Sequence, residues 1–141
     1  MALNTNPIFI SAGNFTPARI AAANTASDGS GSLVTLVTAA TDGTRVDAVR
    51  FRNAQATNAA SSAMVHRIFL SNTSGSSYRL VGEVATAAAT RSASAVGATS
   101  VFTFDQPIIM KSGQIMAVVQ SVYAGSQDQV DAVAYAGDYT A

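Results

Sequence analysis

From residue 33 onward, apolar and polar positions alternate in short runs separated by turn residues. A period of two predicts strands, because successive side chains along a strand point to opposite faces. Leu33, Thr35 and Val37 alternate with Val34, Leu36 and Thr38, which leaves both faces fairly apolar, as in a strand of a sandwich. Asp42-Gly43 is a turn signal. The strand over 45–53 then places Val49 and Phe51 on one face and Ala48, Arg50 and Arg52 on the other. These two strands are expected to pair as an antiparallel hairpin. A loop of small residues over 54–63 follows. In 66–71, Ile68 and Leu70 face one side and Arg67 and Phe69 the other. The cluster Asn72-Thr73-Ser74-Gly75-Ser76-Ser77 is a turn. Beyond it Tyr78, Leu80, Gly82 and Val84 alternate with Arg79, Val81 and Glu83, which predicts a second hairpin.

Residues 85–100 are rich in Ala, Thr and Ser and read as a long connection or a weak edge strand. Phe102 and Phe104 share a face of a strand over 101–104, and Pro107 is expected to interrupt it. Lys111-Ser112-Gly113-Gln114 is a turn before a strand over 115–121, and a last strand covers 130–135. About eight strands at this spacing predict an all-β, antiparallel β-sandwich or jelly-roll-like domain over 33–141. The first 32 residues differ in texture: Ile8-Phe9-Ile10 is a short apolar burst, and Phe15-Thr16-Pro17 is extended. Ser27-Asp28-Gly29-Ser30-Gly31-Ser32 is a loop. Residues 1–32 are therefore read as an extended N-terminal arm and loop that reaches a neighbour.

At 141 residues the chain fits one domain with a core of its own. It has no cysteine, so disulfides and thiolate metal sites are excluded. Basic and acidic residues number 8 each, which gives no visible footprint for nucleic acid. Only 11% of residues are charged, against about 25% in most soluble domains. Such a surface is expected to be covered by partners or coated in Ser, Thr, Asn and Gln. No run approaches the ~18 apolar residues of a membrane span. The first basic side chain is Arg19, so neither a secretory leader nor a membrane partner is expected.

Candidate chemistry is sparse. The single histidine, His66, has no nucleophile or carboxylate motif beside it and reads as an ordinary strand-end residue. Asp128 and Asp131 are close in sequence, but most of the acids sit at turns, where Asp caps the backbone. The spacing of a twelve-residue calcium loop is absent, and Gly29-Ser30-Gly31 lacks the lysine of a phosphate loop. The expectation is a protein that is not an enzyme, with no catalytic, cofactor-binding or metal-binding residue. The arginines stand apart. Arg45, Arg50, Arg52, Arg67 and Arg79 have Asp47 and Glu83 among them, which suits cross-strand ion pairs. An interface reading stands level with that one, because arginine suits bidentate contacts between subunits. Tyr123, Tyr135 and Tyr139 offer rings to a glycan, and core or interface packing explains them as well.

Several segments together resemble a known group. They are Arg45-Val46-Asp47-Ala48-Val49-Arg50-Phe51-Arg52-Asn53, His66-Arg67-Ile68-Phe69-Leu70, Tyr78-Arg79-Leu80-Val81, Ile108-Ile109-Met110-Lys111-Ser112-Gly113 and the terminal Ala136-Gly137-Asp138-Tyr139. In order and texture they resemble small β-structured virion proteins of tailed bacteriophages, of the capsid decoration or cement type. The resemblance implies a non-enzymatic protein made in the host cytoplasm and carried on the capsid surface of the virion. It would be a homo-oligomer, expected as a trimer, that bridges subunits of the major capsid protein. A tail, fibre or baseplate module that recognises a host glycan is the alternative. The candidate interface residues are Ile8, Phe9, Phe15 and Arg19 in the arm, Arg50 and Arg52 in the strand, and Tyr139 near the end of the chain.

Overall fold

The computed structural model describes residues 10–55 and 58–140. Among these residues there are nine strands and a single 3₁₀ turn at Ser126–Asp128. The strands are β1 (Ile10–Gly13), β2 (Ala18–Ile20), β3 (Val34–Thr38), β4 (Thr44–Asn53), β5 (Met64–Leu70), β6 (Arg79–Thr86), β7 (Thr99–Met110), β8 (Ile115–Gln120) and β9 (Val130–Tyr139). They form two antiparallel sheets. Sheet A runs β1-β9-β4-β7, with β2 also on β9, and sheet B runs β3-β8-β5-β6. The architecture is the expected all-β sandwich.

The core lies between the sheets. Sheet A contributes Val46, Val49, Phe51, Ala132 and Ala134, and sheet B contributes Leu36, Met64, Ile68, Met116 and Val118. These positions follow the period of two on β5 and β9, and on β4 they do so on either side of a register shift between Val46 and Ala48. Phe51 has no exposed surface, and its ring stacks on His66 at 4.3 Å with the planes 5° apart. Phe102 and Phe104 share the inner side of β7, meeting edge to face at 5.1 Å.

Three expectations need correction. The strands at 34–38 and 44–53 do not pair. β3 lies against β8, while both edges of β4 are taken by β7 and β9. The Asp42-Gly43 turn carries the chain from one sheet to the other. It is fastened to β9 through Thr44, whose hydroxyl donates to Asp138 (2.6 Å) and accepts from the Ala40 N–H (3.0 Å). Pro107 does not interrupt its strand either. Between Thr103 and Ile108, β7 holds extra residues opposite the single Asp47 of β4. β7 is an edge strand, and a bulge on an edge tolerates a residue with no N–H. Finally, His66 is not at a strand end. β5 begins at Met64, and His66 lies wholly inside the sandwich.

The segment before residue 33 is built into this body where it is described. β1 and β2 line one edge of β9, pairing with its two ends as one strand interrupted at 14–17. Ile20 is 1% exposed and belongs to the core. Residues 21–33 then form a strap over the outer face of sheet B. The Asn24 N–H donates to the Gln120 carbonyl (2.8 Å), Arg67 reaches the Thr25 carbonyl (3.1 Å), and Gly29 lies against Tyr78. Beneath that side of the sheet Phe69, Ala117 and Val119 are buried. The Asn24 amide closes the strap by donating to the carbonyls of Ser30 and Ser32.

Candidate interaction surface

Among the described residues, the outer face of sheet A is the side with no second layer. Cross-strand register determines what it presents, since directly opposed residues share a face. At one end Arg19, Asp131, Arg52 and Thr99 form a row. The next outward row is Val133, Arg50 and Val101, followed by Tyr135, Ala48 and Thr103. At the far end Ile10 faces Tyr139. The fold therefore brings Phe15, Arg19, Arg50, Arg52 and Tyr139 to one face, although they come from both ends and the middle of the chain. Ile8 and Phe9 lie outside the described residues.

Two glycines shape the apolar end. A Cβ on Gly13 would collide with the Phe15 ring, and one on Gly137 would collide with Ile10. Without those carbons Phe15 and Ile10 fold down onto the sheet. Together with Tyr135 and Asp47 they border a groove of about 330 Å³. Phe15 stays 58% exposed, Ile10 46% and Tyr135 38%, with Val101 and Ile109 also outward on β7. Sequence reasoning did not single out Ile10 or Val101 as surface residues, whereas the exposure expected of Tyr135 is what the structure has. The signal for Val101 was present in its parity with Arg50 and Arg52, once the strand partners are known.

Ion pairs decorate this face without neutralising it. Arg19 grips Asp131 with two bonds, 2.8 and 3.0 Å, and Arg45 holds its own strand neighbour Asp47 at 2.7 Å. Hydrogen bonding to those carboxylates, then their charge, raises both guanidinium pKa values above the ordinary range. The third pair, Arg67–Glu83 at 2.6 Å, lies on sheet B beneath the strap. Among the described residues Arg50 and Arg52 have no carboxylate partner, which departs from the expectation of cross-strand pairing for them.

The residues weighed for chemistry are engaged elsewhere. Neither ring nitrogen of His66 meets a hydrogen-bond partner among the described residues, so no carboxylate orients it as a base. Burial pushes its pKa down to about 4. Its cross-strand neighbour Gln120 donates to the carbonyls of Val122 (3.0 Å) and Asp128 (2.8 Å). Asp128 is fully buried and accepts from the Ser62 N–H (2.7 Å), the Ser62 hydroxyl (3.1 Å) and the Ala124 N–H (2.7 Å). It ties the 61–62 loop to the 124–128 turn. Asp131 belongs to the ion pair, so the two neighbouring acids do different structural work. Asp28 accepts from the N–H and hydroxyl of Ser30, bonds that lower its pKa and hold its loop. No group of three His, Cys, Asp or Glu that could hold a metal occurs among the described residues. Tyr123 sits in the loop before β9 and Tyr139 at the end of that strand, so the three tyrosines do not converge on one glycan subsite.

No protein-family model matches the chain, and no curated protein matches it.

Proposed function

We propose that this protein is a non-enzymatic structural component of a phage virion, which decorates the capsid and bridges neighbouring capsid subunits through the outer face of sheet A. The single observation that carries the reading is the composition of that face. Exposed aromatic side chains share this face with unpaired arginines, and both residue types are enriched at the centres of protein interfaces. Contiguous apolar exposure beside unpartnered cations marks a surface made to be covered. The sequence resemblance to capsid decoration proteins supplies the partner, the major capsid protein, and the expectation of a homotrimer. A protein that binds only the assembled lattice would stabilise it by mass action.

The test is to add the purified protein to empty capsids and follow their survival on heating and osmotic shock. Binding at many copies per particle with raised survival is the expected result. Failure to bind capsids would overturn the reading, and recovery of the protein only with separated tails would move it to the tail.

A further inference from the structure

The outer face of sheet A, read above as the interaction surface, also defines the chemistry of what it binds, and the following rests on that reading. The chain is neutral in total, with 8 basic and 8 acidic residues, and most of the acids are engaged within the fold, Asp105 on the edge strand β7 being exposed. Asp128 is buried beneath three donors. Asp138 is turned toward Thr44 and Asn14. Asp47, Asp131 and Glu83 are each held by an arginine. Asp131 is the acid in register with Arg52, and Arg19 already occupies both of its oxygens. Arg50 and Arg52 are left presenting their donors outward.

Their setting selects the partner. They are two residues apart on one strand, so their origins are about 7 Å apart on the same face. Arg50 stands between Val101 and Val133, and Tyr135 continues the apolar surface beyond. A nucleic acid groove would place stacking rings between its cations. Here the flanking positions are aliphatic, which suits a protein surface and excludes water around a guanidinium–carboxylate contact. We propose that Arg50 and Arg52 form a receptor for an acidic protein surface, one presenting two carboxylates about 7 Å apart with aliphatic side chains beside them.

The experiment is an NMR titration of the whole chain with a peptide of alternating Glu and Leu, a matched Gln–Leu peptide, and a single-stranded DNA oligonucleotide. The Glu–Leu peptide is expected to shift the Arg50 and Arg52 Nε–H signals together with the Val101 and Val133 methyls. The Gln–Leu peptide is expected to leave them in place. Binding should weaken tenfold or more in both Arg50→Glu/Arg52→Glu and the milder Arg50→Gln/Arg52→Gln, whose folding is checked by circular dichroism. It should also weaken as salt rises from about 50 to about 300 mM. No shift with the Glu–Leu peptide, equal binding by the variants, or tighter binding of the DNA would each overturn the proposal. Empty capsids are assayed separately with the same proteins. If the wild type ignores capsids, the capsid reading fails while the peptide result still judges the acidic receptor.

Discussion

Phe51 and His66 are the two side chains on which the centre of the sandwich closes, and they respond to different perturbations. Phe51→Ala removes a wholly buried ring and the surface against which His66 stacks. The expected loss is about 3–5 kcal/mol, measurable by urea denaturation at neutral pH. His66 makes stability depend on pH. Its folded pKa, about 4, lies below the unfolded value of 6.5, so the unfolded chain binds the proton first. The contribution of the neutral ring is intact above pH 6.5, declines as pH falls, and is gone below pH 4. Over that window the wild type should lose about 3 kcal/mol more than His66→Phe, read from denaturation curves at each pH. Asp128→Asn exchanges a buried acceptor of three hydrogen bonds for an amide that can accept fewer, and should cost about 2–3 kcal/mol in the same assay. The burial of His66 was legible in one respect: it has the same parity as Ile68. The alternation becomes visible only from His66, because Ala63 and its small neighbours hide Met64 as the first inward residue.

Among the elements, β4 was the most legible, because its two faces differ so sharply in chemistry. Val49 and Phe51 against Arg50 and Arg52 admit only one register relative to a core. Its partner was not legible. A turn such as Asp42-Gly43 serves a hairpin and a crossing between sheets equally well, and only the occupied edges of β4 distinguish them. β1 and β2 escaped notice for a related reason. Strands of four and three residues have no stability of their own, and theirs comes from β9, more than a hundred positions away. This makes truncation informative. Removing residues 1–12 takes most of β1 but leaves Ile20 in the core, and the chain should still fold. Removing residues 1–20 strips an edge of β9 as well and should abolish cooperative unfolding. Ile20→Ala, which keeps the strand and empties its place in the core, should cost about 2–5 kcal/mol by thermal or urea denaturation.

For the whole molecule, composition was an incomplete guide to surface. Equal numbers of acids and bases suggested an electrically featureless protein, and only the fold separates acids satisfied internally from arginines left outside. The low charged fraction is a separate signal, and it underlies the proposal of a covered surface. The order of strands in sheet A has a further consequence, for assembly in time. Sheet B is complete in sequence by Gln120, whereas sheet A is divided by β9, the last strand of the chain, lying between β4 and the two N-terminal strands. A chain emerging from the ribosome can gather β3, β5, β6 and β8 early, but β1 and β2 lack their sheet partner until β9 has emerged. The outer face of sheet A, with its arginines and aromatic rings, therefore comes into existence last. A partner that recognises the whole face meets only chains that extend through β9, and a chain cut short before β9 would lack Asp131, Val133 and Tyr135 from it.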